Sequence, residues 1–247
     1  MNIIKKNLAY FNILLSFCVL IIFNEELFIP KNGAVSLLAE AKTSAQERSV
    51  LIEWGSSSWS GVILSSELQK TKILTIVHED SMEKIKENNK ENLKISFNSE
   101  KKYSGKITKW NGCNELSVIE INSSIPGEFK SKIKLESKES YLSQPLFSFG
   151  HPLGLNLHYS EGYLSSVGNR IKPCGMVTNG FSGGTVPGQT GSGVWNESGE
   201  LSGLIVATSA FPIKTLDKEG NQVGVSVIPI TFLGRFIPAL DIRKFLE

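Results

Sequence analysis

The chain has 247 residues, room for one large domain or two small β-barrels that share a cleft. A chain of this length buries a core without a metal or disulfide staple. Its 26 Lys and Arg nearly balance 24 Asp and Glu, which excludes the strong basic excess of a nucleic-acid binder.

The N-terminus reads as a targeting segment. Lys5 and Lys6 precede an apolar run from Leu8 to Phe23, a charged region followed by a hydrophobic one of secretory type. The run has 16 residues, short for a full bilayer span. Ala39-Glu40-Ala41 offers a small-residue cleavage site before Lys42, but it lies far beyond Phe23. The segment is therefore read either as a cleaved signal or as an uncleaved membrane anchor. The expected organisation is 1–23 export signal or anchor, 24–46 linker or pro-region, and 47–247 the folded domain. The expected location is the periplasm or the extracytoplasmic face of a membrane.

From Ser49 onward, short β-type segments alternate with Gly, Ser, Asn and Pro. Strands are predicted at Val50–Trp54, Ser60–Leu64, Lys72–Val77, Leu93–Phe97, Tyr103–Lys109 and Leu116–Ile121. Asp80 to Lys90 is charged and reads as a surface turn or short helix. The polar stretch from Asn122 to Ser140 reads as a crossover between two halves. A second set of strands follows at Pro145–Phe149, Tyr159–Val167, Gly175–Thr178, Ser192–Trp195, Leu201–Thr208 and Gln222–Ile228. Strands of this length and spacing suggest a sandwich or barrel. Leu240, Ile242, Phe245 and Leu246 recur at helical spacing and predict a terminal helix.

Three cysteines are present; Cys18 lies in the apolar run, leaving Cys113 and Cys174 to the domain. An oxidising compartment permits a disulfide between them, and the sequence leaves pairing and buried free thiols equally open.

Three segments carry candidate chemistry. Ile73-Leu74-Thr75-Ile76-Val77-His78 puts a histidine directly after an apolar strand, a rigid mount for a general base. Asn114-Glu115-Leu116-Ser117-Val118-Ile119-Glu120-Ile121 opens an alternating strand with an acid. Pro187-Gly188-Gln189-Thr190-Gly191-Ser192-Gly193-Val194-Trp195-Asn196 surrounds a hydroxyl with glycines, so that backbone N–H groups can converge on one point as in an oxyanion hole. Taken singly, these read as a core histidine, a solvated strand end and a hairpin loop.

Together, and in this order, they resemble trypsin-fold serine endopeptidases, most closely the bacterial Deg-type (high-temperature-requirement) branch. Gly188 to Asn196, continuing through Gly199-Glu200-Leu201-Ser202-Gly203, resembles that family's G-N-S-G-G-P-L-V-N…G-E-V-I-G without a gap. Leu74 to His78 resembles L-T-N-N-H, and Glu115 to Ile121 resembles D-L-A-V-L-K-I. Phe149-Gly150-His151-Pro152-Leu153-Gly154-Leu155…Glu161-Gly162-Tyr163-Leu164-Ser165 resembles I-G-N-P-L-G-L…S-G-I-V-S. Gly224 to Pro229 is matched to the closing G-F-A-I-P. The resemblance runs from about Val50 to Leu246. It implies an all-β fold, a trypsin-type double six-stranded β-barrel with a C-terminal helix. That family usually continues into peptide-binding PDZ domains, and none is expected here.

The resemblance also implies roles. His78 becomes the base, Glu115 the acid that orients it, and Thr190 the nucleophile, with the N–H groups of Gly188 and Thr190 holding the oxyanion. Gly184 falls at the base of the substrate pocket, and Val206, Ala207 and Thr208 at its wall. Glu115 and Thr190 depart from the family's aspartate and serine. Glutamate adds a CH₂, so the backbone must retract or the carboxylate overshoots the ring. Threonine's methyl restricts χ1 and needs space beside the base. Ser182, in Gly180-Phe181-Ser182-Gly183-Gly184, is an alternative nucleophile but requires eight extra residues before Gly203. The implied partner is a polypeptide substrate or a bound peptide, with no metal and no cofactor. Two functions stay open at this point: an endopeptidase of weak or specialised activity, and a degenerate peptidase that binds peptides or a partner protein without cutting. The oligomeric state is open as well.

Overall fold

The computed structural model describes residues 32–67, 69–87, 93–97, 101–123, 125, 132–171, 174–217 and 222–247. The segment read as an export signal, 1–23, lies outside them. Twelve strands, three α-helices and one short 3-10 helix (Pro152–Gly154) make up the described elements. The first six strands are β1 (Ser49–Trp54), β2 (Ser57–Glu67), β3 (Lys70–Ile76), β4 (Leu93–Ser96), β5 (Lys102–Trp110) and β6 (Leu116–Ile121). The second six are β7 (Pro145–Gly150), β8 (His158–Ile171), β9 (Met176–Phe181), β10 (Gly193–Asn196), β11 (Leu201–Leu216) and β12 (Gln222–Pro238). The helices are α1 (Asn32–Glu47), α2 (Glu79–Glu87) and α3 (Ala239–Leu246).

Each set of six closes into an antiparallel barrel. The first runs β1-β2-β3-β6-β5-β4, and the second runs β10-β11-β12-β9-β8-β7. Read from β7, the second barrel repeats the order of the first, which is the trypsin-type double barrel with its C-terminal helix. Closure leaves no free sheet edge, and it requires side chains to alternate between core and surface. The sequence supplies β-branched residues at the inward positions. Val50, Ile52, Ile63, Ile73, Ile95 and Ile119 fill the first core with relative exposures of 0 %. Leu146, Leu164, Phe181, Val194, Ile205 and Phe236 fill the second. Burying each such side chain stabilises the fold by roughly 1.5–3 kcal/mol.

The crossover is tied down by Glu136, which is buried. Its carboxylate accepts from Gln144 Nε2 at 2.5 Å, from Asn196 Nδ2 at 3.0 Å and from Ser140 Oγ at 3.2 Å. Its carbonyl accepts from Arg243 Nη2 of α3 at 3.1 Å. Helix α3 buries Ala239, Ile242 and Phe245, and the carbonyl of Phe245 accepts from Lys109 Nζ of β5. The last helix thus reaches from the crossover to the first barrel.

Two sequence expectations differ from the structure. Residues 40–46 were placed in a linker, yet they form the end of α1 and belong to one compact unit, Glu40–Glu247. Small side chains explain this: Ala41 and Ala45 are buried, and Ser49 Oγ donates to the Ala45 carbonyl at 3.0 Å. The closing family motif was matched to Gly224–Pro229, but those residues pair with Ala210–Thr215 on the outer part of the β11–β12 hairpin. The barrel part of β12 is Gly234-Arg235-Phe236-Ile237-Pro238, where Thr208 faces Gly234 and Gly203 faces Pro238. That later segment also pairs with β9, so it occupies the motif's position.

Candidate active site

His78 lies two residues past the end of β3, and Glu115 directly precedes β6, the strand paired with β3 from Thr71 to Ile76. The pairing extends past the strand ends, since the Val77 N–H donates to the Glu115 carbonyl at 2.9 Å. This brings the side chains together: His78 Nδ1 lies 2.7 Å from Glu115 Oε2. The other carboxylate oxygen, Oε1, accepts the Glu79 N–H at 3.2 Å. Nδ1 therefore carries the proton in this pair, and Nε2 faces away from the carboxylate.

Glu115 reaches the His78 ring from a backbone at φ +56. A non-glycine residue in that region is uncommon. Here the preceding turn holds it. Asn111 Oδ1 accepts the N–H groups of Cys113 at 2.9 Å and Asn114 at 3.3 Å, and Asn114 Oδ1 accepts the Leu116 N–H at 3.3 Å.

The electrostatics favour the charged pair. The hydrogen bond to Glu115 raises the His78 imidazole above its ordinary value near 6.5, with burial opposing and the carboxylate's charge adding to the rise. Burial by itself pushes the Glu115 carboxyl up, but the hydrogen bond and charge of His78 and the Glu79 N–H together hold it below its ordinary value. The His78 side chain is still 48 % exposed, so its outer nitrogen is accessible.

Thr190 comes from the second barrel, in the turn before β10. The turn is closed by Gln189, which is buried: its N–H donates to the Val186 carbonyl at 3.1 Å, and its Oε1 accepts the Val186 N–H at 2.8 Å. The Ser192 N–H donates to the Gln189 carbonyl at 2.9 Å, and the Gly191 N–H to the Ile205 carbonyl at 2.7 Å. Gly188 sits at φ +91, where a Cβ would lie 2.3 Å from the Leu153 nitrogen. Only glycine fits this close approach. Among the described residues, the N–H groups of Gly188 and Thr190 have no hydrogen-bond partner, and neither has the Thr190 hydroxyl.

His78, Thr190, Gly188 and Pro187 line one cleft of about 230 Å³, together with Ser57, Ser58, Trp59 and Ser81. The residues expected as base, nucleophile and oxyanion donors thus border one cleft, His78 from the first barrel and Gly188 and Thr190 from the second. Ser182 stands elsewhere. Its Oγ accepts the Tyr163 N–H at 2.8 Å, and its N–H donates to the Tyr163 carbonyl at 3.0 Å, so it serves the β8–β9 edge. Of the expected pocket residues, Val206 is buried, Ala207 and Thr208 are half-buried opposite Arg235 and Gly234, and Gly184 is exposed near the Thr231 carbonyl. No three His, Cys, Asp or Glu side chains gather as a metal site among the described residues.

Two residues to which sequence reasoning gave no role hold this frame. Ser60 Oγ donates to the Gly188 carbonyl at 2.9 Å and accepts the His151 N–H at 2.9 Å. The Ser60 N–H also donates to the Thr190 carbonyl at 2.8 Å. His151 is buried, and its Nδ1–H donates to the Leu155 carbonyl at 3.0 Å. Burial lowers its imidazole below the ordinary value, which keeps it neutral. Nothing in the sequence marked Ser60 beyond a small Ser-Gly pair at the start of an apolar strand.

Comparison with known proteins agrees with the fold. The chain is 29 % identical over 135 residues to an HtrA-like serine protease of Staphylococcus aureus strain USA300, and 27 % identical over 134 residues to that of strain bovine RF122. Each match covers 50 % of this chain and 17 % of the relative, so the chain spans about a sixth of those proteins. The Rv3671c protease, in its inactive form, superposes with a TM-score of 0.62 at 11 % identity, covering 88 % of this chain and 95 % of that one. Deg5 gives a TM-score of 0.59 at 18 % identity, with coverage of 83 % and 90 %. A model of the PilZN3 domain matches residues 39–109, which here form the end of α1 and most of the first barrel. The chain thus has weak homology to HtrA-like serine proteases and the fold of Deg- and HtrA-type protease domains.

Proposed function

We propose that the domain is an endopeptidase of the trypsin fold that cuts exposed polypeptide with a His78–Glu115–Thr190 triad. The observation that carries this reading is the His78–Glu115 hydrogen bond at 2.7 Å beside a cleft that Thr190 and Gly188 also line. In this reaction Thr190 Oγ1 attacks the carbonyl carbon of the scissile bond and His78 Nε2 takes its proton. Glu115 keeps the ring oriented and stabilises the imidazolium that forms. The carbonyl oxygen becomes an oxyanion held by the free N–H groups of Gly188 and Thr190. Collapse expels the amine, which takes the proton from His78, and water then releases the acyl group by the same steps in reverse.

Export follows from Lys5, Lys6 and the apolar run to Phe23, and sets the substrates as exported or unfolded polypeptides. A second reading has one observation in its favour: the Thr190 hydroxyl makes no hydrogen bond to His78. A domain that binds an extended peptide in this cleft without cutting it would look the same. Incubating the domain with an unfolded protein and a fluorophosphonate probe separates the two. An adduct on Thr190, lost in Thr190→Ala, supports the peptidase. Peptide binding by an inert, unlabelled domain supports the second reading.

A further inference from the structure

Cys113 and Cys174 are 61 residues apart in sequence, one in the β5–β6 turn of the first barrel and one in the β8–β9 turn of the second. In the fold they meet. Cys113 Sγ donates to the Cys174 carbonyl at 3.5 Å, and both thiols are free and exposed. The Cys113 thiol sits above its ordinary value, first because it hydrogen-bonds Cys174 and then because of burial. The Cys113 N–H is held by Asn111 Oδ1, while Cys174 lies in a turn outside the strands, where the backbone can adjust to disulfide geometry. Gly175, next to Cys174, adopts φ +71 in an otherwise open turn where a Cβ would meet nothing.

We propose that Cys113 and Cys174 form a reversible disulfide that fastens the acid-bearing turn of the first barrel to the second barrel. Cys113 stands two residues before Glu115, in the turn that Asn111 caps and that holds Glu115 at positive φ. Oxidation therefore fixes the segment that presents the carboxylate to His78. The oxidant is a small disulfide such as oxidised glutathione. The Cys113 thiolate attacks one of its sulfurs, forming a mixed disulfide and expelling one thiolate. The Cys174 thiolate then attacks the Cys113 sulfur and expels the second. Two protein thiols are oxidised, one small disulfide is reduced to two thiols, and a dithiol reductant reverses both steps. An exported domain meets such oxidants. The consequence for Glu115 rests on the peptidase reading; the bond itself does not.

The test uses the full chain carrying Cys18→Ser, so that only two thiols remain. Treatment with oxidised glutathione should remove two hydrogens from the mass, abolish thiol titration and yield a non-reducing peptide linking Cys113 to Cys174. The oxidised protein should melt several degrees higher than the reduced one, and Cys113→Ser should show neither change. Persistent attachment of one glutathione to each cysteine, or covalent dimers alone, would overturn the proposal. Fluorophosphonate labelling, measured separately on oxidised and reduced protein, reports on the peptidase reading without bearing on the bond.

Discussion

Ser60, on the first barrel, holds the carbonyl of Gly188, on the second, through a 2.9 Å hydrogen bond from its hydroxyl. The same oxygen accepts the His151 N–H, so one buried side chain satisfies an acceptor in the Gly188 turn and a donor just after β7. His78 comes from one barrel and Thr190 from the other, and this contact ties the two together.

Ser60→Ala should therefore strand both the Gly188 carbonyl and the His151 N–H. An unsatisfied buried polar group costs about 1–3 kcal/mol, so stability should fall by an amount of that order. The loss of turnover, or of peptide affinity if the domain does not cut, should exceed what the lost stability explains, because the turn carrying Gly188 is released. Thermal unfolding and activity measured on the same preparation check this. A normal melting temperature with unchanged activity would remove Ser60 from the frame.

Gly191 gives a steric prediction. It lies at φ +84, and a Cβ there would sit 2.1 Å from the Ser60 carbonyl oxygen and 2.4 Å from Thr75 Oγ1. Gly191→Ala combines left-handed strain of about 1–2 kcal/mol with a backbone clash, and should cost several kcal/mol in all. Gly168→Ala meets nothing at φ +67 and should cost only the strain. Denaturant unfolding of the two variants should separate them clearly.

Much of this fold was legible because barrel strands advertise themselves. Leu116 to Ile121 is a short apolar run, Ile73 and Ile119 are β-branched and face the core, and glycine or asparagine marks the turns between strands. The strand extensions were not legible. Strand β11 runs on past Thr208 to Leu216, where Ile213 is exposed, so no inward face announces a strand there. The closing motif was misplaced for a related reason. Gly224–Pro229 and Gly234–Pro238 both begin with Gly and end in Ile-Pro or a close variant, and only the pairing of Gly203 with Pro238 decides between them. At the site, the family resemblance named His78, Glu115 and Thr190 as candidates, and the fold puts His78 beside Glu115 and lines one cleft with His78 and Thr190. The positive φ of Glu115 is a backbone property with no sequence signature outside glycine and asparagine.

The dependence on pH follows from the His78–Glu115 pair. Glu115 raises the imidazole above 6.5, so His78 stays protonated to higher pH than an unpaired histidine. A protonated base cannot accept the Thr190 proton, and activity should rise only as pH passes the raised value. Stability runs the other way. A group whose folded value is raised contributes fully below its unfolded value and loses that contribution as pH rises through the folded one. Glu115→Gln should move the acid limb of kcat/KM to lower pH while lowering its plateau, because the orienting charge is gone. A pH–rate profile of the two proteins checks this; an unmoved limb would show that His78 is not the titrating base.

Specificity should lack a basic component. Gly184, Val206, Ala207 and Thr208, the residues assigned to the pocket, include no carboxylate, and Gly234 opposite Thr208 adds none. A substrate Lys or Arg would find no partner there, unlike in a pocket built on aspartate. Peptide-library profiling should show small or apolar side chains before the scissile bond. A clear preference for Arg or Lys would mean that other residues form the pocket.

Thr190→Ser should raise activity. Thr190 lines the cleft with His78, but its hydroxyl is not bonded to the ring. Its methyl restricts χ1, and serine removes that restriction. The freed hydroxyl can then approach His78 Nε2 to about 2.6–3.2 Å, the range a general base needs. A gain on the order of tenfold is expected, a part of the ~10²–10⁴ that a positioned general base supplies. The size of the gain reports on Glu115. If the methyl is the main obstacle, the single change recovers most of the rate. If Glu115 at positive φ holds the ring off-line, Thr190→Ser gains little, and Glu115→Asp with Thr190→Ser gains more than the two single changes predict. Such non-additivity is expected of groups that act as one unit. Hydrolysis of an unfolded protein by wild type, each single variant and the double variant measures it. Ser182→Ala provides the control: its hydroxyl serves the Tyr163 backbone, so its loss should leave the rate unchanged. If Ser182→Ala instead abolishes an activity that Thr190→Ala preserves, Thr190 is not the nucleophile.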